Sequence, residues 1–325
     1  MSRFQQSVLV LHESIGDNAR ADEVDTLEQA KYVAGVMREL GWSASCMATD
    51  LDLAGTISEI QEKNPVCVFN LVESLHGDGS LVHIVPAVLR SAGIRFTGSD
   101  SEAMFLSSHK LLAKHVMREN GIPTPISFQP GEPKPAMNAT WIVKSVWEHA
   151  SLGLDDGCVV NSLSAARARV DHCRAQFGGN WFAEQFIDGR EFNVSVLEID
   201  RKPRILPIAE MTFIDFPRDK PKIVGYAAKW DEAAPEYAAT ERCFAELPHA
   251  EHAAIVDVVE KCWAAFNIRG YARVDIRLDS NGVPWVLEVN ANPCLSPEAG
   301  FAAACREASV SMQTAIEHIV SAAVN

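Results

Sequence analysis

The sequence predicts an α/β protein that opens with a parallel sheet and continues as mixed α+β segments. Over the first hundred residues, short apolar strand-like runs alternate with amphipathic helix-like runs, the order that crossover connections between parallel strands produce. Near the C-terminus, an alternating stretch around Asn281-Gly282 predicts an antiparallel hairpin. The length of 325 residues suits about two domains or one multi-lobed domain.

The composition is that of a folded, acidic protein. Hydrophobic residues make up 47% and charged residues 22% of the chain, which excludes disordered and fibrous classes. Lysine and arginine number 29 against 43 aspartates and glutamates, so the net charge is −14. This excess of negative charge argues against nucleic acid or an anionic membrane as the main partner, while a local basic site for a small phosphate ligand stays open.

Neither the N-terminus nor the cysteines indicate export or a membrane. The apolar runs, such as residues 8–11 and 301–305, fall far short of the roughly 20 residues of a membrane span. The first residues also lack the apolar core of a secretory signal. The eight cysteines are scattered without a CxxC pair or a zinc-like spacing. We therefore expect a cytoplasmic protein with free thiols.

Hydrophobic periodicity predicts the N-terminal elements. Apolar Leu27, Ala30, Ala34 and Met37 form one stripe of a helix, and Gly41 ends it. The predicted strands cover residues 8–11, 43–48 and 66–71, and the helices cover 25–40, 53–63 and 86–92. A last short strand and turn at 96–99 leads out of this region, so we expect a boundary near residue 100.

The later elements are bounded by glycines and prolines. A long helix is predicted at 101–120, because Gly121 and two following prolines end it. A Pro-rich loop is predicted at 130–135 and a polar, Ala-rich loop from residue 231. Between and after them we expect helices at 164–177 and 248–266, and strands at 141–145, 181–186, 191–199, 205–211 and 223–228.

The hairpin is the strongest physical signal in the chain. With Asn281-Gly282 as a two-residue turn, the strands pair apolar residues on one face. That face combines Val274, Ile276 and Leu278 with Val289, Leu287 and Trp285. On the other face, Asp275 lies opposite Glu288 and Arg273 lies opposite Asn290. Two carboxylates are thereby brought together, which is unfavourable unless a cation lies between them.

A divalent metal or an arginine would satisfy the two carboxylates. Asp275, Glu288 and the amide oxygen of Asn290 are hard oxygen ligands of the kind that Mg²⁺ prefers. Alternatively, Arg273 neutralises both acids on a solvated face. The hairpin by itself favours neither interpretation.

A series of short motifs runs in a fixed order through nearly the whole chain. They are Phe69-Asn70-Leu71 with His76-Gly77-Asp78-Gly79, Phe96-Thr97-Gly98-Ser99, His109-Lys110, Ile142-Val143-Lys144, Glu184-Gln185-Phe186 with Gly189-Arg190-Glu191-Phe192, Ala228-Lys229, and Val289-Asn290-Ala291-Asn292-Pro293 after the hairpin. Each is weak alone, but their order and spacing together are specific. The sequence thereby resembles the ATP-grasp superfamily and, within it, the D-alanine, D-alanine ligase family.

The resemblance implies an ATP-grasp fold in three parts. These are an N-terminal parallel-sheet (pre-ATP-grasp) domain for substrate at 1–100, a central ATP-grasp subdomain at 101–190, and a C-terminal ATP-grasp subdomain with the hairpin at 191–325. Members of the family activate a carboxylate with ATP as an acyl phosphate, which an amine then attacks to give an amide. The resemblance also implies Mg²⁺ or Mn²⁺, small amino-acid-like or carboxylate substrates and a homodimer.

The nucleotide and metal residues are implied by the matching motifs. Lys110 and Lys144 would contact the ATP phosphates, and Glu191 would bind the ribose hydroxyls. The hinge beside adenine would consist of Glu184, Gln185, Phe186 and Ile187. The metal would be held by Asp275, Glu288 and Asn290.

The residues implied for the reaction and the substrates lie in other motifs. Lys229 would reach the γ-phosphate, Arg273 would stabilise the oxyanion of the tetrahedral intermediate, and Ser151 would belong to the phosphate-covering loop. Glu23, Glu73 and His76 are the candidates for the first substrate. His76 is equally well explained as a turn residue beside Gly77-Asp78-Gly79.

The acceptor side departs from the family's pattern. Trp230 stands where relatives carry Tyr or Phe, and Cys294 stands where they carry Gly. Both residues are candidates for the substrate site. Cys294 is more simply explained as a packing residue than as a nucleophile. The serine that receives the second substrate's carboxylate aligns with residues 297–299, which carry no hydroxyl. We therefore hypothesise a carboxylate–amine ligase whose substrates are not two D-alanines. The alternatives are an ordinary D-alanine, D-alanine ligase, a non-catalytic ATP-binding regulator, and an ester- or thioester-forming enzyme.

Overall fold

The computed structural model describes residues 6–16, 21–129, 139–147, 151, 153–216, 220–244 and 246–324, without the side chains of residues 21–23. Within these ranges the strands form three sheets, and no helix is long and apolar enough to cross a membrane. The α/β architecture expected from the sequence is confirmed. The division of the chain at residues 100 and 190 stays a prediction.

The first sheet is parallel and lies at the N-terminus. Its elements are β1 (Ser7–Glu13), α1 (Ala21–Glu39), β2 (Ser43–Thr49), α2 (Leu53–Lys63), β3 (Cys67–Asn70) and α3 (Ile84–Ser91). The strand order is β2-β1-β3, which puts the first strand in the middle. Because neighbouring residues of β1 face opposite sides, Val8 and Val10 pack with α1 whereas Leu9 and Leu11 pack with α2 and α3.

Helices α4 (Ser101–Ser108) and α5 (Lys110–Glu119) replace the single long helix expected at 101–120. The break lies at His109, whose backbone is extended with φ −80° and ψ 93°. Its Nδ1 accepts a hydrogen bond from the N–H of Leu112 at 3.2 Å, so His109 is the N-cap of α5. Lys110 thereby becomes the first residue of a helix rather than a residue within one.

The second sheet is antiparallel, and one helix packs on it. Its elements are β4 (Ser127–Phe128), β5 (Trp141–Ser145), β6 (Val159–Val160), α6 (Leu163–Phe177) and β7 (Trp181–Gln185), in the strand order β4-β7-β5-β6. Trp141, Val143 and Ala183 form a core with Val170 of α6. Since side chains alternate along β5, Lys144 lies on the face opposite to Val143.

The third sheet is also antiparallel. Its strands are β8 (Arg190–Ile199), β9 (Lys202–Ile205), β10 (Ala209–Phe213), β11 (Thr240–Cys243), β12 (Tyr271–Leu278) and β13 (Pro284–Asn290). Its helices are α7 (Tyr226–Trp230), α8 (Pro235–Ala238), α9 (His249–Ala265), α10 (Gly300–Glu307) and α11 (Met312–Val324). The order is β11-β10-β8-β12-β13, with β9 paired to β8.

The hydrophobic cores join parts of the chain that are distant in sequence. One face of the third sheet, including Phe192 and Val274, packs with residues of α9 and with Met117 of α5. Helices α10 and α11 share a core with α1 and the first sheet, through residues such as Phe301 and Ile316. Helix α5 therefore packs on the third sheet, although it precedes the second sheet in sequence.

Two segments of the C-terminal third differ from the sequence prediction. Residues 223–228 were expected to form a strand, but the segment leads into helix α7. The loop expected from residue 231 contains α8 and the edge strand β11. Strand β11 has the sequence Thr-Glu-Arg-Cys without apolar alternation, and it exists because it pairs with β10. Local sequence carries no signal for such a strand.

The hairpin pairs as predicted at the end far from its turn. Arg273 faces Asn290, Val274 faces Val289, and Asp275 faces Glu288. Nearer the turn the register shifts by one residue at a β-bulge, so that Ile276 faces Val286 and Leu278 faces Pro284. The expectation that Leu287 and Trp285 belong to the apolar face is therefore wrong.

Asp279 explains the shift in register. Its carboxylate accepts hydrogen bonds from the N–H groups of Asn281 at 2.8 Å and Val283 at 3.0 Å, and from Nε1 of Trp285 at 2.9 Å. The loop between the strands is consequently longer than the two-residue turn that Asn281-Gly282 suggests. The bulge compensates for the extra residue and restores the expected pairing at Asp275.

Gly189 provides a test of how closely the start of β8 approaches the end of β12 within the third sheet. A Cβ on this residue would lie 2.1 Å from the carbonyl oxygen of Leu278, which is backbone. We expect Gly189→Ala to lower the free energy of unfolding by about 1 to 3 kcal/mol, because the end of β12 must move. In Gly35→Ala, within α1, the added Cβ meets nothing within 4 Å, and we expect stabilisation by up to about 1 kcal/mol. Urea denaturation measures both; similar changes in the two variants would contradict this packing.

Candidate active site

A cavity of about 660 Å³ is lined by residues from all three sheets. Its floor is the polar face of β8, β12 and β13, where the register aligns alternate residues of neighbouring strands. In β12 these residues are Arg273, Asp275 and Arg277, beside Asn193 and Glu191 of β8 and beside Asn290 and Glu288 of β13. The polar floor forms because the opposite face of the same strands is buried in the core.

Arg273 and Asp275 form a bidentate ion pair at the centre of the floor. Nε of Arg273 donates to Oδ1 at 2.7 Å and the terminal nitrogen Nη2 donates to Oδ2 at 2.9 Å. Nδ2 of Asn193 also donates to Oδ1, at 2.9 Å. Burial lowers the pKa of Arg273, but the charge and hydrogen bonds of Asp275 outweigh burial and raise it. The guanidinium is therefore permanently charged and held in one orientation.

The donor set on the hairpin suits a divalent cation. Asp275 and Glu288 are directly opposite on neighbouring strands, and Asn290 follows on the same face. Oε2 of Glu288 lies 3.6 Å from Nζ of Lys110. Among the described residues, no group of three or more His, Cys, Asp and Glu side chains converges as a metal site. A cation here would therefore need two carboxylates, an amide oxygen and oxygens of its substrate, which is how Mg²⁺ is commonly held.

Glu184 is buried between two lysines beside the cavity. Its carboxylate lies 2.5 Å from Nζ of Lys114 and 2.7 Å from Nζ of Lys144. Lys114 also donates to Oγ1 of Thr124 at 3.0 Å, and Thr124 donates to the carbonyl oxygen of Val286 at 2.9 Å. This chain of contacts connects β7 and β5 to β13, through α5.

The pKa shifts in this buried group follow from burial and from Glu184. Burial lowers the pKa of Lys114, although Glu184 opposes the change. Burial also disfavours charge on Lys144, but the charge of Glu184 outweighs it and the pKa of Lys144 is raised. Burial raises the pKa of Glu184, and the two lysines more than reverse this, so the net pKa lies below the usual 4.5. Two cations share one anion, and only Lys144 of the two lines the cavity.

Helix α7 carries Lys229 and Trp230 into the cavity wall. Burial lowers the pKa of Lys229, and the charge of Arg273 lowers it further, while acids of the floor oppose both. Oγ of Ser151 donates to the carbonyl oxygen of Val224 at 3.1 Å. The segment around Ser151 therefore contacts the segment that leads into α7. The rest of the expected phosphate-covering loop, residues 148–150 and 152, lies outside the described residues.

Glu191 is oriented by Arg277. Nε and Nη2 of Arg277 donate to Oε2 of Glu191 at 3.0 and 2.6 Å, and Arg277 is almost completely buried. The guanidinium also lies 5.5 Å from the ring centre of Phe186. Arg277 thus connects the expected ribose-binding residue to the expected hinge. Glu191 lines the cavity, whereas the hinge side chains Glu184, Gln185, Phe186 and Ile187 lie outside the lining.

The first sheet contributes an acidic wall. Glu13 ends β1 and Glu73 follows β3, and the N–H of Glu73 donates to Oε2 of Glu13 at 3.2 Å. Both line the cavity together with Asp25 of α1. Carboxyl ends of neighbouring parallel strands meet at one edge of a sheet, which is where open α/β sheets bind ligands. Of the other first-substrate candidates, His76 is exposed in a turn at φ 54° and does not line the cavity. The side chain of Glu23 lies outside the described residues.

Cys294 connects the loop after β13 to α1. Its thiol donates to Oδ2 of Asp25 at 3.1 Å, and Oγ of Ser296 donates to Oδ1 of the same residue at 3.1 Å. Burial raises the pKa of Cys294 to about 12, and Asp25 and Glu73 add to the shift. The thiol is therefore neutral at physiological pH and unsuited to act as a nucleophile.

Reasoning from sequence alone misses several charged residues of the site. They are Glu13, Asp25, Lys114, Arg242 and Arg277, which line the cavity or orient residues that do. A signal existed for two of them, since Glu13 ends the first parallel strand and Arg277 continues the alternation of Arg273 and Asp275. Lys114 and Arg242 look like ordinary surface charges in the sequence.

Comparisons with known proteins agree with this geometry. Residues 134–321 match the family model described as D-ala D-ala ligase C-terminus. A Sinorhizobium fredii protein named "Uncharacterized protein y4sG" is 28% identical over 302 residues, 90% of this chain and 87% of that protein. A D-alanine–D-alanine ligase of Bordetella pertussis is 30% identical over 230 residues, 68% of this chain and 67% of that protein.

The fold is also that of a solved structure. The crystal structure of a D-alanine–D-alanine ligase from Bacillus anthracis complexed with ATP has a TM-score of 0.74 and 18% identity, covering 98% of this chain and 97% of that one. The three sheets and the polar cavity between them define an ATP-grasp protein, within the class of ATP-dependent carbon–nitrogen ligases. The chain belongs to the D-alanine–D-alanine ligase family.

Glu184 provides a test of the buried charges beside the cavity. We expect Glu184→Gln to lower the free energy of unfolding by about 3 to 5 kcal/mol at pH 7, because it leaves two buried ammonium groups without an anion. Since the pKa of Glu184 is lowered on folding, its contribution is complete above pH 4.5 and decreases as the pH falls below that value. The loss in Glu184→Gln should shrink accordingly.

A matched control is available in helix α2. Glu59 forms an exposed ion pair with Lys63 at 3.4 Å, and we expect Glu59→Gln to change stability by less than about 1 kcal/mol. Urea denaturation at pH 7 and below pH 4.5 measures both variants. Equal losses at pH 7 would refute the importance of the buried group.

Proposed function

We propose that this protein joins the carboxylate of one small amino-acid-like substrate to the amine of a second, through an acyl phosphate made from ATP, and that its acceptor is not D-alanine. The proposal depends on one observation. Four basic residues line the same cavity as the two carboxylates of the hairpin, Asp275 and Glu288; they are Lys110, Lys144, Lys229 and Arg273. The cavity volume of about 660 Å³ lies within the range of small-molecule sites. Cations aimed at one region of a cavity suit the transfer of a phosphoryl group.

The nucleotide side of the cavity is proposed to lie between the second and third sheets. Lys110 and Lys144 would bind phosphate oxygens, and the excess positive charge of the Lys114–Glu184–Lys144 group favours an anion at Lys144. Glu191, held by Arg277, would accept hydrogen bonds from ribose hydroxyls. A divalent cation such as Mg²⁺ or Mn²⁺ on Asp275, Glu288 and Asn290 would neutralise phosphate oxygens and polarise the transferred phosphoryl group.

Arg273 and Lys229 are proposed to act on the reacting groups. Lys229, which lines the cavity, would bind the γ-phosphate. Arg273 would stabilise the negative oxygen that develops when the amine attacks the acyl phosphate, since its orientation is set in advance by Asp275. The contact of Ser151 with the segment before α7 would help to exclude water from the acyl phosphate.

The substrates are proposed to bind on the side of the first sheet. Glu73, with Glu13 and Asp25 beside it, forms an acidic wall suited to the amine of the first substrate. Trp230 and Cys294, which line the cavity, would contact the acceptor. This assignment agrees with a division into a substrate domain at 1–100 and two ATP-grasp subdomains at 101–190 and 191–325. A homodimer and a cytoplasmic location stay predictions.

Two observations support an acceptor other than D-alanine. The indole of Trp230 is larger than the Tyr or Phe that the resemblance implies and has no phenol, and residues 297–299 carry no hydroxyl where the resemblance implies a serine. The competing function, an ordinary D-alanine–D-alanine ligase, is favoured by the names of relatives such as those from Bordetella pertussis and Hydrogenovibrio crunogenus.

A substrate array separates these functions. Phosphate release from Mg-ATP would be measured with pairs of D- and L-amino acids, small carboxylates and amines, with mass spectrometry of active wells. We expect release to require two different substrates and to yield the mass of their amide. D-Alanyl-D-alanine formed at a rate that rises strongly with D-alanine would overturn the proposed acceptor. No release from protein that Mg-ATP stabilises against heat would favour a nucleotide-binding regulator.

Arg273 provides a test of the proposed chemistry. We expect Arg273→Ala to reduce turnover by at least about a hundredfold, because it removes a donor aimed at the developing oxyanion. Binding of Mg-ATP, measured by thermal shift, should persist. Arg204→Ala removes an exposed arginine of β9 in the same sheet, outside the cavity, and should leave turnover unchanged. Full activity in Arg273→Ala would refute the role.

A further inference from the structure

Arg242 lies in the cavity wall on the edge strand β11. It pairs in register with Met211 of β10, and both residues line the cavity. Terminal nitrogen Nη1 of Arg242 donates to the carbonyl oxygen of Glu298 at 3.3 Å. A Cβ on Gly300 would lie 3.8 Å from Nε and 3.9 Å from Nη2. The guanidinium therefore lies against the start of α10.

This arginine differs from the others that line the cavity or adjoin it. Arg273 and Arg277 each donate two hydrogen bonds to one carboxylate group, that of Asp275 and that of Glu191. Among the described residues, no carboxylate lies within ion-pair distance of Arg242, and its contact with Glu298 is to a backbone oxygen. Most of its N–H donors are consequently available to a ligand in the cavity.

The electrostatic surroundings of Arg242 also favour an anion. Burial lowers its pKa, and the charges of Arg273 and Arg306 lower it further, while Glu298 opposes them. Arg242 and Arg273 thus line the same cavity in a protein of net charge −14, and Arg306 adds a third positive charge nearby. An anion bound here would relieve the repulsion between them.

The first turn of α10 adds backbone donors beside the guanidinium. The N-cap Ala299 provides no side-chain hydrogen bond, and the first turn contains no acidic residue. The first i→i−4 hydrogen bond of the helix runs from the N–H of Ala303 to the carbonyl oxygen of Ala299. The N–H groups that precede it need partners from outside the helix. Ala299 and Gly300 both line the cavity.

We propose that Arg242 binds the carboxylate of the acceptor substrate, and that it determines the preference of this enzyme for an acceptor with a free carboxylate. The proposal rests on the proposed function and names the chemistry of its second substrate. A planar guanidinium matches a carboxylate with two parallel hydrogen bonds. Residues 297–299 carry no hydroxyl where the resemblance implies a serine, and Arg242 supplies hydrogen-bond donors in its place. Its place near Arg273 puts an amine on the same small molecule within reach of the reacting carbonyl.

The test compares binding of amino acids with binding of their amides. Isothermal titration of the full chain with Mg-ADP would use glycine, D-alanine and L-alanine, and glycinamide, D-alaninamide and L-alaninamide. We expect the wild-type protein to bind at least one acid about tenfold or more tightly than its amide. Arg242→Gln should weaken binding of that acid by about ten- to a hundredfold and leave its amide almost unchanged. Arg242→Lys should recover part of the loss, because it restores charge without the planar fork.

An exposed arginine outside the cavity, Arg204, provides the control for Arg242. Arg204→Gln makes the same change on an exposed strand of the same sheet and should change neither affinity. Equal weakening of acid and amide in Arg242→Gln would mean a structural role and overturn the proposal. A wild-type protein that binds none of the acids more tightly than their amides would overturn it as well. The titration measures binding and does not require turnover. The substrate array, which measures amide formation, therefore tests the proposed function separately.

Discussion

The register of a single strand, β12, determines the active site. Its pairing with β8 on one side and β13 on the other places Arg273 and Asp275 between Asn193 and Glu288. A shift by one residue would exchange the polar floor with the apolar face that packs on α9. The β-bulge near Asp275 and the Asp279 loop maintain the functional register, although the turn is longer than two residues.

Two arginines of the site each have a carboxylate partner, whereas its lysines have too few carboxylates. Asp275 neutralises Arg273 and Glu191 neutralises Arg277. In contrast, the single carboxylate of Glu184 lies between two lysines, and among the described residues no carboxylate lies within 4.0 Å of Nζ of Lys229. The ammonium groups of Lys144 and Lys229 line the cavity, where we propose that an anionic ligand supplies the missing negative charge. An acidic protein can in this way bind a polyphosphate at one place.

The two ends of the cavity have different relations to the family. On the proposed nucleotide side, the lysines, Glu191 and the acidic hairpin line one cavity, and all of these residues except Lys110 lie within the range that matches the family model. On the proposed acceptor side, Trp230 and Ala299 line the cavity, and Arg242 joins its wall from an edge strand. The proposed function therefore combines the activation chemistry of the family with an acceptor other than D-alanine.

The sequence by itself determined the elements whose signal is local. Alternation around Asn281-Gly282 predicted the pairing of Asp275 with Glu288, and periodicity predicted α2 at its observed bounds, Leu53–Lys63. Only the tertiary structure decided what depends on distant parts of the chain. Lys114 becomes a buried partner of Glu184 because α5 packs on the third sheet. Arg242 enters the cavity because β11 pairs with β10, an edge contact that short-range patterns do not encode.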